Sequence, residues 1–249
     1  MRQVSSRGDA RPGRRRPRAV LFDLHGTLVY PSADNLADRR RAAYRVLAEW
    51  PGAPSLEAFE ARDEETREKL RLSGAAELRD YGVTHRLTLV VRSLLGDTPS
   101  QDLIDRMVEA YVDAWIDILR PLPGTHEALD RLQERYRMAL VTDFGHTPGI
   151  WRILDRFGLR GYFQPVVVSA EVGHTKPHPA MFGAALRGLG VAPDDAVFVG
   201  DNPVCDIEGA KRAGILPILI DVDGRHSSCG DHRIVDLREL PPLLEKLLC

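Results

Sequence analysis

Five short apolar runs punctuate the chain: AVLFD at 19–23, RMALVTD at 137–143, PVVVSA at 165–170, AVFVGD at 196–201 and LPILIDV at 216–222. Their apolarity is nearly continuous rather than alternating, the pattern of strands buried on both faces, and such strands belong to parallel sheets covered by helices. Amphipathic segments stand between them at 124–136, 148–159, 179–190 and 205–214; Pro opens and Gly closes the 179–190 stretch, as at helix termini. This alternation predicts a doubly wound, Rossmann-like α/β fold with a mainly parallel sheet and right-handed crossovers.

Residues 32–121 break the alternation. ADRRRAAYRVLAEW, SLEAFEARDEETREKLRL, VTHRLTLVVRSLLG and SQDLIDRMVEAYVDAWIDIL carry helix-spaced apolar positions with charged opposite faces, and no strand pattern stands among them. The block starts directly after the loop of the first strand and ends at RPLPG. The expected organisation is a basic tail over 1–17, a core over 18–31 and 122–249, and a helical cap inserted over 32–121, above the carboxyl edge of the sheet.

With 249 residues, 43% of them hydrophobic, the chain can bury a sizeable core. A formal net charge of −2 gives no global reason to expect nucleic acid or an anionic membrane as partner. The exception is MRQVSSRGDARPGRRRPR, with seven arginines and hardly a large apolar side chain; it is expected to be a solvated, disordered tail. The apolar stretch after it breaks at Asp23, too early for a secretory signal, and three scattered cysteines, Cys205, Cys229 and Cys249, form neither a disulfide framework nor a zinc pattern. A cytoplasmic monomer or homodimer is expected.

Ligands of open α/β sheets bind beyond the carboxyl ends of the strands. Those ends carry Asp23, Thr142 with Asp143, and Asp201, while Asp206 follows in GDNPVCD and Lys176 stands in the loop EVGHTKPHPAMF. Converging carboxylates repel unless they share a cation, and an all-oxygen donor set suits Mg²⁺. Lys176 and the Thr142 hydroxyl can hold phosphate oxygens, leaving Asp23 free to attack phosphorus.

The segments DLHGTL at 23–28, the apolar run ending in Thr142, KP at 176–177 and GDNPVCD at 200–206 resemble, in order and spacing, the four motifs of the haloacid dehalogenase-like hydrolase superfamily. The resemblance runs from about Ala19 to Asp236, and the helical block matches the α-helical cap of that superfamily. It implies Asp23 as nucleophile and metal ligand, the backbone carbonyl of His25 as a second ligand, Thr142 and Lys176 as phosphate holders, Asp201 as metal ligand and Asp206 as a supporting carboxylate at the metal.

One residue departs from that pattern. Where phosphatases of the superfamily carry an acid/base aspartate, this chain has His25. The carbonyl ligand survives the change. The side chain's role does not follow automatically, although imidazole has an ordinary pKa near ~6.5 that suits proton transfer. The implied function is a Mg²⁺-dependent phosphatase of a small phosphorylated metabolite, with His25 as substitute acid/base. Two alternatives stand beside it: an atypical hydrolase such as a haloacid dehalogenase-like enzyme, and a weakly catalytic protein that binds a phosphorylated ligand.

Other polar and aromatic residues have simpler readings. Asp143 and His146 are expected to shape a loop and cap the helix near Pro148, His174 and His178 to be exposed loop histidines, Cys205 to be a packed thiol, and Trp50, Trp115 and Trp151 to be packing residues. Within the block, Arg39, Arg40, Arg62, Arg67, Arg71, Tyr81 and His85 are candidate substrate contacts, unranked by sequence.

Overall fold

The computed structural model describes residues 17–32, 36–96, 99–226 and 232–247. The tail expected at 1–17 therefore lies outside the described residues except for Pro17, as do Cys229 and Cys249.

Along the chain, β1 (Ala19–Phe22) and β2 (Val29–Pro31) are followed by four helices, α1 (Leu36–Leu47), α2 (Leu56–Gly74), α3 (Gly82–Leu95) and α4 (Gln101–Ile118). Then come β3 (Leu119–Pro121), α5 (Thr125–Gln133), β4 (Arg137–Thr142), α6 (Thr147–Arg156), β5 (Val166–Val168), α7 (Ser169–Val172) and α8 (Pro179–Leu189). The chain ends with β6 (Ala196–Gly200), α9 (Gly209–Arg212), β7 (Leu216–Ile220), β8 (Arg233–Ile234) and α10 (Leu240–Lys246).

The apolar runs form the sheet for the reason their composition suggests. Successive strand residues point to opposite faces, and here both faces are covered. Val20 and Phe22 of β1, Met138 and Leu140 of β4, and Val197 and Val199 of β6 pack into one core. Their neighbours Ala19, Leu21, Ala139, Val141, Ala196 and Phe198 pack into the other, with Met181 and Phe182 of α8. A strand with two buried faces has no place for alternation, so each run reads as uniformly apolar.

Six strands pair in the order β5-β4-β1-β6-β7-β8, all parallel. Beginning at β1, the chain moves outward on one side through β4 and β5, then returns to β6 on the other. The crevice between β1 and β6 is thus the place where strand order reverses, the usual position for a ligand in an open α/β sheet.

The four helices lie between β2 and β3, which pair antiparallel with Val29 opposite Pro121 and Pro31 opposite Leu119. This small ladder corrects the sequence reading, in which the block held no strand; three residues give too short a signal. Helices α2 and α4 start at serines, Ser55 and Ser100, whose side chains accept from Ala58 and Leu103 N–H. Residues Leu103, Met107, Val108, Tyr111, Val112 and Ile116 of α4 are buried at helical spacing. Among the described residues, no helix is long and apolar enough to cross a membrane.

Candidate active site

Asp23 is the first residue past β1, and its N–H donates to Val199 O at 2.9 Å, tying it to β6. Asp201 is the first residue past β6. Their loops meet so closely that residue 26 has no room for a side chain: a Cβ on Gly26 would lie 2.3 Å from Asp201 Oδ2, and its φ of +90° is itself one that favours glycine. Gly200 is constrained in the same way, because a Cβ there would lie 2.4 Å from the Asp206 carboxylate. Glycine at these two positions is what lets three carboxylates converge.

Asp23, Asp201 and Asp206 each bring one oxygen to within 4.8 Å of the others. Lys176 enters from the loop after α7, with Nζ 2.5 Å from Asp23 Oδ1 and 2.8 Å from Asp206 Oδ1. Burial opposes the lysine charge, yet Asp206 and Asp23 hold the ammonium above its ordinary value. One ammonium does not balance the acids. Burial, then Asp23 and Asp206, push the Asp201 carboxyl up to about 7, and burial raises Asp206 as well. Converging oxygen donors, two of which resist ionisation for want of positive charge, fit a hard divalent cation.

Asp143 has a larger part than its sequence reading gave it. Its Oδ1 accepts the Lys176 backbone N–H at 2.9 Å, fixing the loop that carries the lysine, and burial pushes its carboxyl up to about 7. Asp206 receives Asn202 N–H at 3.0 Å on its other oxygen, so it is oriented from two sides. Thr142 ends β4 fully buried, with Oγ1 3.5 Å from His25 Nδ1, the outer limit of a hydrogen bond.

His25 contacts two aromatic rings. Phe144 stacks on it at 5.4 Å between centroids and Trp115 of α4 tilts against it at 5.6 Å. The Trp115 indole N–H donates to His25 Nε2 at 3.1 Å. Burial, then the charges of Lys176 and Arg39, push the imidazole down to about 3, so the ring is neutral at physiological pH. Trp115 is therefore more than a packing residue. Its partner lies 90 positions away in the chain, so no local pattern announces the contact.

The candidate contacts in the block separate by their surroundings. Arg40 is bound to Asp63 and Glu64, Arg62 pairs with Glu65, Arg67 with Glu64, and Arg71 with Glu68. Tyr81 stacks on His85. Arg39 differs: its guanidinium lies 4.1 Å above the Trp115 ring and its charge reaches His25.

The remaining residues keep modest roles. His146 caps α6 by accepting Gly149 N–H at 3.1 Å, and His178 caps α8 by accepting Ala180 N–H at 3.2 Å. His174 stacks on His178 at 3.8 Å and bonds Glu77 O. Burial pushes the Cys205 thiol up to about 11, which leaves it unreactive near neutral pH.

Comparison with known proteins agrees with this geometry. The haloacid dehalogenase-like hydrolase profile matches residues 17–214. A glyceraldehyde 3-phosphate phosphatase of Methanopyrus kandleri is 36% identical over 206 residues, 82% of this chain and 83% of that protein. A phosphoserine phosphatase of Thermus thermophilus is 43% identical over 124 residues, 48% of this chain and 50% of that one. A solved 2-haloacid dehalogenase from Pseudomonas syringae superposes with a TM-score of 0.75 at 26% identity, over 93% of this chain and 99% of its own. With the profile spanning both strand ends that carry the acids, this chain belongs to the haloacid dehalogenase-like hydrolase family.

Proposed function

We propose that this hydrolase is a Mg²⁺-dependent phosphatase that acts on a small phosphorylated metabolite through an aspartyl-phosphate at Asp23. The observation that carries the reading is the convergence of Asp23, Asp201 and Asp206, with Lys176 paired to the first and the last of them. The names of the sequence relatives, phosphatases of small metabolites, support it.

In this reading Asp23, Asp201, Asp206 and the His25 carbonyl would hold the cation, whose charge would offset repulsion between the nucleophile and an anionic phosphate. Lys176 and Thr142 bind phosphate oxygens, and Asp143 keeps Lys176 in register through its backbone. An Asp23 oxygen bonds to phosphorus as the bond to the leaving group breaks, and water then attacks phosphorus to release the acid. His25 stands where a proton-transferring group would act. The helices between β2 and β3 serve as a cap, which places Trp115 over the site and excludes bulky substrates.

The likeness to a dehalogenase supports a second reading, in which Asp23 attacks carbon and displaces halide. That chemistry leaves the three-acid cluster without a purpose. Phosphate release from a phosphoester panel and halide release from 2-haloacids, each with Mg²⁺ and with chelator, separate the two. Metal-dependent phosphate release is expected; metal-independent halide release would replace the phosphatase reading.

A further inference from the structure

An indole N–H can only donate. Because Trp115 Nε1 stands 3.1 Å from His25 Nε2, that ring nitrogen must present its lone pair, and the one proton of the neutral imidazole must sit on Nδ1. Nδ1 is the nitrogen that faces Thr142 Oγ1, on the side of the strand ends. Two further contacts hold this arrangement. Phe144 stacks on the imidazole and is itself fixed by its N–H donating to Ser169 Oγ at 2.8 Å. On the other side, the Arg39 guanidinium covers the Trp115 ring.

We propose that Trp115 is a positioning residue that fixes His25 as its Nδ1–H tautomer, so that with α4 in place His25 serves the site as a neutral hydrogen-bond donor rather than as a proton-delivering acid. The consequence for substrates rests on the phosphatase reading above. A neutral imidazole N–H polarises an oxygen while keeping its proton, a role known for histidine electrophiles elsewhere. Simple alkoxides, which need a full proton to depart, are poor leaving groups for such a site. The substrate class is phosphoesters whose leaving group departs as a stabilised anion: acyl, enol or aryl phosphates.

The steps balance without a strong acid. The Asp23 carboxylate forms an O–P bond while the bond from phosphorus to the leaving oxygen breaks, and the electron pair departs on the carboxylate, enolate or phenolate. Water then attacks phosphorus, the P–O bond to Asp23 breaks, and one water proton passes to solvent as hydrogen phosphate leaves. His25 begins and ends with its proton on Nδ1.

The tautomer can be read without turnover. Two-bond nitrogen-15 to proton correlation spectra of metal-free protein with labelled histidine, at neutral pH, should show His25 with Nε2 as the pyridine-like nitrogen. His25→Asn assigns the signal. Trp115→Phe keeps a ring but removes the donor, and should lose that pattern. In wild-type turnover, aryl or acyl phosphates should exceed alkyl phosphates by at least ~10², the lower end of what acid catalysis contributes.

An Nε2–H or doubly protonated ring in the wild type would overturn the proposal, as would an unchanged pattern in Trp115→Phe. Should that variant fail to fold, the wild-type spectrum alone decides. The expected tautomer in a protein that releases no phosphate from any ester would support Trp115 as the positioning residue and overturn the phosphatase reading with its substrate class.

Discussion

The sheet edge and the helical block that faces it use buried charge in opposite ways. In the block, Asp63 is buried, yet it accepts from Arg86 at 2.5 Å and from Arg40 at 2.7 Å, and the exposed face of α2 is laced with pairs such as Arg71–Glu68. At the edge, three acids and Asp143 share one lysine, and two of those carboxyls are pushed up to about 7. Matched charge holds structure together, whereas unmatched charge in a crevice is strain that a ligand relieves. The difference distinguishes a scaffold from a site more sharply than counting charged residues does.

The largest expected effect is on chemistry. Asp23→Asn removes the nucleophile and should lower turnover by on the order of 10⁶, the scale seen when a catalytic nucleophile is lost. Lys176 keeps Asp206 as partner, so the fold should persist, which a thermal melt would check.

Stability should then separate the regions by sign. Asp63→Asn leaves the buried Arg86 guanidinium without its carboxylate and Arg40 with Glu64 alone, and should destabilise by about 3–5 kcal/mol in denaturant unfolding, as breaking a buried ion pair does. Asp201→Asn should instead stabilise the metal-free protein above pH 7, because it removes an uncompensated carboxylate. If both variants lose stability alike, the contrast between scaffold and site fails.

The dependence on pH sharpens the same contrast within the site. The folded Asp201 carboxyl titrates near 7, above its ordinary 3.8, so between those values the folded state binds more protons and stability falls as pH rises. His25 runs the other way. Its folded value near 3 lies below the ordinary 6.5, so its contribution is intact above 6.5 and is lost as pH falls toward 3. Melting wild type against Asp201→Asn and against His25→Asn across pH 4–8 should give differences of opposite slope; equal slopes would contradict the assigned environments.

Much of the sheet edge was legible in the sequence. Asp23, Thr142 and Asp201 stand at the ends of apolar runs, and a strand's end places its next side chain in the crevice whatever the rest of the chain does. Lys176 was legible from its motif. What the sequence could not show depends on contacts across distance. The donation from Trp115 to His25, the grip of Asp143 on the Lys176 backbone, and the ranking of Arg39 above its neighbouring arginines all arise from packing between elements far apart in the chain. Strand β8 and helix α10 escaped for a simpler reason: two and seven residues carry little periodicity.

A smaller effect concerns how the block is tied down. Besides the β2–β3 ladder, the start of α3 and the turn before it are bound to the core: Asp80 N–H donates to Gly173 O at 3.1 Å, Val83 N–H to Gly145 O at 3.0 Å, and Ser169 Oγ to Asp80. Ser169→Ala removes the hydroxyl that joins Asp80 to Phe144 and should cost about 1 kcal/mol. In hydrogen exchange, residues 78–83 should then lose protection, while fluoroberyllate with Mg²⁺ should raise protection near Pro31 and Pro121 if the block closes on ligand. Unchanged exchange in both experiments would mean that block and sheet behave as one rigid unit.

Trapping the intermediate shows whether the acids at the β1–β6 crevice carry phosphoryl transfer on Asp23. Wild-type protein turning over an aryl phosphate with Mg²⁺ would be quenched in acid, reduced with borohydride and mapped by peptide mass spectrometry. Reduction of an aspartyl-phosphate leaves homoserine, and that mark is expected at residue 23, lost when Mg²⁺ is chelated. Sustained phosphate release with position 23 unmodified, or with the mark on another carboxylate, would contradict phosphoryl transfer on Asp23.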